Sequence, residues 1–349
     1  MKIAFIVPYP IGKAPSQRFR FEQYFAILKE NNFEFKMFSF YNAKTWQIIY
    51  SKGNFLLKTY GVIGSIITRI GMLFKLNDFD FVFIHRESCP IGPPFFEWFI
   101  AKVLNKKIIY DFDDAIWLTD EKARLSNIIR CFWKVKYICK WAYKVSCGNQ
   151  YLANYASQWN YNTIINPTTI DTSYHTPKKP NLNNLPVIGW TGSHSTLKYL
   201  TPIIPILKEF QDQFVLLVIC NTDPLYDLKN YAFVPWSEDN EIEALNRIDI
   251  GIMPLPQNEW SNGKCGFKAL QYMALKKPVV VSPVGVNCDI IEHTKNGFLA
   301  DSNKDWKTIL LMLLQNFEIR KEVGEAGYKT LMDNYSVKSN TNTFLSLFS

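Results

Sequence analysis

The chain has 349 residues, 48% of them hydrophobic and 20% charged, with a net charge of +8. That size implies two domains, and that balance excludes a disordered or collagen-like chain. Seven cysteines are scattered without a C-x-x-C pair, which argues for a reducing cytoplasm and against a disulfide framework or a structural zinc site. The charge is uneven. Residues 1–180 hold 24 Lys and Arg against 13 Asp and Glu, and the remainder 15 against 18. The basic half is expected to meet an anionic partner such as phospholipid, a lipid-linked phosphate or nucleic acid.

Met1-Lys2 leads directly into Ile3–Val7, too short an apolar run for a signal peptide and read as a first strand. The loop Pro8–Pro15, which contains Gly12, follows. Ser16 then suits an N-cap, with Phe21, Tyr24, Phe25 and Leu28 on one helical face. Arg18 and Arg20 fall in the first turns, either as a solvated face or as contacts to an anionic group. Residues 34–40 read as a second strand. Residues 44–75 read as one helix in which Leu56, Tyr60, Ile63, Ile67, Ile70 and Phe74 step by three or four among Lys58, Arg69 and Lys75. This is either a membrane-surface helix or an ordinary core-facing one.

Phe79–Ile84 is a strand ending in His85-Arg86-Glu87, and Ile108–Tyr110 another, ending in Asp111-Phe112-Asp113-Asp114. A parallel sheet presents its ligands at such ends. Adjacent Asp113 and Asp114 are costly there unless solvated or used, and they are candidates to orient an acceptor hydroxyl or take its proton. Residues 124–144 read as a helix with aromatic and basic residues interleaved. Val145–Cys147 and Thr163–Asn166 complete the strands of the first half, and a polar linker from Pro177 to Pro186 follows.

The second half repeats the layout. Val187–Trp190 is a strand, Thr191-Gly192-Ser193-His194-Ser195-Thr196 a small polar loop, and Lys198 begins a helix. Small residues let backbone N–H groups close on a phosphate, and Lys198 adds charge. Phe214–Cys220 is a buried strand. Trp236 follows Phe233-Val234-Pro235 and either stacks on a base or packs in the core. Ile248–Leu255 is a further strand and its exit. Gly263–Gly285 then reads as loop, helix, strand and loop. Phe267, Leu270, Met273 and Ala274 face a core, whereas Lys264, Lys268 and Gln271 share another face. Ser261, Asn262 and Gly263 suit a helix start, so Lys264 and Lys268 fall in its first turns beside backbone N–H groups, a setting that suits a diphosphate.

Tyr272-Met273-Ala274 with Lys277-Pro278-Val279-Val280 resembles the donor-binding segment of GT-B-fold glycosyltransferases, in particular the large retaining, family 4-like group with many bacterial polysaccharide enzymes. Ile248-Asp249-Ile250 through Pro254 and Asn296-Gly297-Phe298-Leu299 are similar to flanking segments of that family. Pro167-Thr168-Thr169-Ile170-Asp171 is similar to its interdomain hinge, and "RFR" near the first loop recurs there. The resemblance implies an α/β chain of two Rossmann-like doubly wound domains facing a cleft. Residues 1–175 would take the acceptor and 186–335 the donor, with 336–349 crossing back onto the first domain.

The resemblance also implies transfer of a sugar from a nucleotide sugar to a glycan or lipid-linked acceptor in bacterial surface polysaccharide or glycan synthesis, with retention and without a metal. Gly12, Gly192, Ser193, Lys198, Trp236, Lys264, Gly266, Phe267, Lys268 and Gln271 become donor-site candidates. Arg18, Arg20, His85 and Arg86 become acceptor-site candidates, and Asp113 and Asp114 catalytic ones. Gln271 falls where the family places a ribose-binding glutamate, and the family's first glutamate would fall at Gly263. Nucleic acid is not expected as a partner, and an inner-membrane contact through the basic half remains one reading. Two alternatives are a metal-dependent transferase using Asp111 and Asp113, and a non-catalytic module binding sugar nucleotides or membranes.

Overall fold

The computed structural model describes residues 1–49, 51, 53–119, 124–178 and 185–349. The linker expected at Pro177–Pro186 lies mostly outside these residues. The chain divides into two compact units, Met1–Thr168 with Thr341–Ser349, and Thr169–Asn340.

In the first unit, β1 (Lys2–Val7), β2 (Glu34–Ser39), β3 (Phe81–His85), β4 (Lys107–Phe112), β5 (Lys144–Cys147) and β6 (Thr163–Ile165) form one parallel sheet in the order β2-β1-β3-β4-β5-β6. β1, β3 and β4 are buried almost throughout, which is why they read as unbroken apolar runs rather than alternating ones. The helices are α1 (Pro15–Arg20), α2 (Phe25–Glu30), α3 (Ala43–Ile49), α4 (Phe55–Leu73), α5 (Phe95–Lys102), α6 (Arg124–Arg130), α7 (Lys134–Trp141) and α8 (Gln150–Ser157). α1 starts at Pro15, with Ala14 rather than Ser16 at the cap. Where one helix was expected over 44–75 there are two, and Gly53 and Asn54 before α4 have positive φ. The helix expected over 124–144 is likewise broken, at Cys131 with φ 52°. Phe5 packs against Phe21 and Phe83 with ring centroids 5.2 and 5.0 Å apart. From the C-terminal segment, Phe344 stacks on Tyr24 at 4.1 Å.

In the second unit, β7 (Val187–Thr191), β8 (Val215–Cys220), β9 (Tyr231–Pro235), β10 (Ile250–Met253), β11 (Val279–Val281) and β12 (Phe298–Leu299) form a parallel sheet ordered β12-β11-β10-β7-β8-β9. Its helices are α9 (Leu197–Leu200), α10 (Ile204–Lys208), α11 (Glu241–Asn246), α12 (Glu259–Asn262), α13 (Phe267–Ala274), α14 (Asn287–Ile290), α15 (Asn303–Gln315), α16 (Phe317–Asn334) and α17 (Val337–Leu345), the last of which ends among first-unit residues. One core of Ile188, Trp190, Leu216, Val218, Ile250 and Leu310 with their neighbours sits against this sheet. Both sheets reverse direction once, at β1/β3 and at β7/β10. The loops leaving the strands at those points are where an open parallel sheet opens to a ligand.

Candidate donor and acceptor sites

At the β7/β10 reversal, one buried ring of α13 reaches two strands. Tyr272 lies against Gly251, where an added Cβ would meet the ring at 2.3 Å, and its hydroxyl accepts the Thr191 amide at 3.0 Å. This one side chain ties α13 to β10 and to the end of β7. Gly266 precedes α13 with φ 67°, and a Cβ there would lie 2.3 Å from Ile290 Cδ1. Glycine is therefore required on both backbone and packing grounds. Gly266 brings no side-chain cap to α13, and no acid occupies its first turn. The positive end of the helix dipole there favours an anion.

Lys268 stands in that first turn, its ammonium 5.6 Å from the Trp190 ring of β7. It also acts electrostatically on Cys220 at the end of β8, although burial dominates there and pushes the thiol up. Lys268 is thus aimed at the C-terminal strand ends. Lys264 covers Trp260 instead, at 4.9 Å. Phe267 is half-buried at the start of α13. Gly192 lies beside Trp190: an added Cβ would come within 2.4 Å of the indole. Trp190 therefore joins the β7 loop to Lys268. Ser193 caps the turn that follows, its amide donating to Thr196 Oγ1 and its hydroxyl meeting that of Ser195. His194 is a loop hydrogen bonder to Asn221, as its setting implies. Lys198 sits exposed on the four-residue α9, over Tyr199 at 5.3 Å.

A second cluster surrounds Gln271. This buried amide donates through Nε2 to Glu241 Oε1 at 3.1 Å, and Trp236 Nε1 donates to the same oxygen at 3.3 Å. His175 Nε2 lies 3.5 Å from Gln271 Nε2. The carboxylate missing from position 271 in sequence is thus supplied alongside it by Glu241, thirty residues away. Sequence reasoning missed Glu241 and His175, and no local pattern marks either.

At the β1/β3 reversal, the candidates divide into two ion-paired groups. Asp111 is buried with Arg20 and His85. Arg20 reaches Asp111, Ser146 Oγ and the Asn166 carbonyl, and His85 Nδ1 lies 2.8 Å from Asp111. Burial pushes the Asp111 carboxyl up, but Arg20 and His85 outweigh it and hold the group well below the usual carboxylate range. His85 Nε2 has no hydrogen-bond partner among the described residues. Arg20 and His85, expected at the acceptor, are therefore internal, with no exposed surface to offer one. Arg18 is half-buried with its guanidinium 5.1 Å from the Phe19 ring.

Arg86 has φ 61°, with its amide donating to Asp111 O and its carbonyl accepting Tyr110 Oη. This backbone turns its guanidinium onto Asp113 and Asp114 at 2.7 and 2.6 Å. Burial lowers the tendency of Arg86 to hold its proton, but the two carboxylates more than restore it. Arg86 clamps Asp113 and Asp114, the two acids expected as catalytic candidates. Nor do Asp111 and Asp113 form a metal-holding pair: Asp111 is occupied by Arg20, His85 and Ser146, and Asp113 by Arg86. Gly12, a donor-site candidate, donates its amide to Glu22 Oε2 at 2.9 Å. Buried Gln17 bridges Glu22 to the Tyr9 backbone, which pins the loop.

No curated protein sequence matches the chain. Residues 185–316 match the family model described as Glycosyl transferases group 1. Among solved structures, sucrose-phosphate synthase from Thermosynechococcus elongatus superposes with a TM-score of 0.75 at 12% identity, over 99% of this chain and 98% of that one. A glycosyltransferase from Rickettsia africae gives 0.70 at 15%, over 99% and 97%. Anabaena HepE in complex with UDP and glucose gives 0.70 at 12%, over 99% and 98%. The chain has the GT-B fold, and its second unit is similar to the glycosyl transferases group 1 family over residues 185–316.

Proposed function

We propose that the protein transfers a sugar, of hexose type, from a nucleoside-diphosphate sugar to a glycan or lipid-linked acceptor. We place the reaction in the cytoplasm, in the synthesis of a bacterial cell-surface polysaccharide or glycan, with retention at the anomeric carbon and without a metal. The observation that carries the reading is Lys268 in the first turn of α13, aimed at the ends of β7 and β8. As the anomeric bond breaks, negative charge gathers on the departing diphosphate. A fixed ammonium at the positive end of a helix dipole stabilises that charge more than it stabilises the bound donor.

The cluster of Trp236, Glu241 and Gln271 would hold the nucleoside, with Gln271 as a neutral hydrogen bonder to the ribose. The UDP in the Anabaena structure supports a nucleoside diphosphate as leaving group. Proton balance closes without a protein base if the acceptor hydroxyl gives its proton to the departing phosphate oxygen. Asp113 and Asp114 then act through Arg86 as orienters. Cysteines without a disulfide bond are in keeping with a reducing compartment.

The test begins with thermal shift of the purified chain against a panel of nucleotides and nucleotide sugars. Lys268→Ala is then assayed with the donor so found. Turnover is expected to fall by about a hundredfold or more, with the melting temperature kept. An unchanged rate removes the phosphate role. Binding without transfer or donor hydrolysis favours a non-catalytic module instead.

A further inference from the structure

We propose that the first unit docks on an anionic lipid bilayer through the outer face of α4, with the helix lying in the plane of the interface. This deepens the reading of a lipid-linked acceptor given above. Leu56, Tyr60, Ile63, Ile67 and Ile70 recur three or four residues apart and are all exposed, Tyr60 at 72% and Ile67 at 64%, with Phe74 beyond the helix end at 81%. A continuous exposed apolar row of this kind calls for a partner.

The charge around it says which partner. Residues 35–77 hold six Lys and Arg and no Asp or Glu, and residues 122–170 hold seven and none. α4, α5 and α7 follow β2, β3 and β4 through successive crossovers running the same way along the sheet. Right-handed crossovers put all three on one side of it. Trp98 on α5 and Tyr137 on α7 are exposed there as well, as is Trp133 just before α7. Apolar residues and ring-bearing side chains set among unopposed cations match a headgroup layer of negative lipids. A second copy of the same face would bring cations against cations and is disfavoured.

α4 is also long and apolar enough to cross a membrane by length and composition alone. Its inner face shows why it lies flat. Arg69 is buried and donates to Phe38 O at 2.8 Å and Val7 O at 3.0 Å, and Gly61 packs onto the Thr45 side chain. Turning the helix into a bilayer would strip Arg69 of these carbonyls and carry its charge into hydrocarbon.

The test is co-sedimentation of the full chain with vesicles of phosphatidylcholine alone or mixed with phosphatidylglycerol. It needs no sugar donor, so its result is separate from that of the transfer assay. Binding is expected to the mixed vesicles and to weaken with salt. It should fall about tenfold or more in the triple variant Tyr60→Ser, Ile63→Ser, Ile67→Ser and in Lys75→Glu, with circular dichroism and melting kept. Equal binding by the parent and the triple variant overturns the proposal, as does equal binding to neutral vesicles. Failure to bind vesicles, coupled with a dimer that the triple variant dissolves in sedimentation velocity, assigns the face to a second copy and also overturns it.

Discussion

A buried carboxylate takes whatever donors its neighbours supply, and Glu241 takes Trp236 and Gln271. That pairing fixes which end of the Gln271 amide faces inward, and so leaves the carbonyl end for a ligand hydroxyl. Glu241→Gln removes the acceptor that sets this orientation. The KM for the nucleotide sugar is expected to rise about tenfold with kcat changed by less than about threefold, measured by steady-state kinetics. A fall in kcat alone would place Glu241 in the chemistry rather than in recognition. Arg86 poses the opposite case, one cation between two acids. Arg86→Ala leaves Asp113 and Asp114 side by side and largely shielded, and should cost about 2–4 kcal/mol of stability by urea unfolding. Arg86→Lys should recover only part of it, because an ammonium cannot fork across both carboxylates. The adjacent acids were visible in the sequence as a costly pair. Their partner was not, because Arg86 reaches them only through a left-handed backbone turn at the end of the neighbouring strand.

At the scale of elements, the sequence announced what repeats locally and missed what depends on one backbone angle. The parallel strands were legible as apolar runs, and α13 from its helical spacing. The breaks before α4 and at Cys131 were not, because a residue with positive φ inside an apolar repeat leaves the periodicity on either side intact. Pinning of the Gly12 loop also escaped, since it depends on Gln17 and Glu22 folding back from the following helical segment. The start of α13 shows how much one such angle carries. Gly266 is left-handed and packed against Ile290, and its conformation sets the direction in which the first N–H groups and Lys268 point. Gly266→Ala must relieve both the backbone strain and the overlap. A loss of about 2–4 kcal/mol is expected, together with a weaker response of the melting temperature to added nucleoside diphosphate. Retention of the full ligand-induced shift would show that the helix start does not bind the phosphates.

Across the whole chain, two six-stranded sheets with one reversal each follow from how often strand and helix signals alternate, which is why the fold was readable before its side-chain contacts were. The contacts that unify the first unit are of another kind, joining residues 91 and 146 positions apart: Arg20 to Asp111, and Arg20 to the Asn166 carbonyl. They hold α1, β4, β5 and the exit of β6 at one point, so protonating Asp111 loosens the unit at its centre. Its folded carboxyl lies well below the usual range, chiefly because Arg20 and His85 oppose the effect of burial. A depressed acid contributes stability that is fully present above its unfolded value of about 3.9 and is lost as pH falls toward the folded one. The parent protein should therefore begin to lose stability below about pH 5 and lose it more steeply below about pH 4. Asp111→Asn leaves Arg20 buried without its counter-charge and should be less stable by about 3–5 kcal/mol at neutral pH. Having no carboxyl to protonate at that position, it should also show a shallower acid slope, so that the two melting curves converge in acid. Parallel curves across that range would mean that acid sensitivity arises elsewhere, and that Asp111 is not what the first unit depends on.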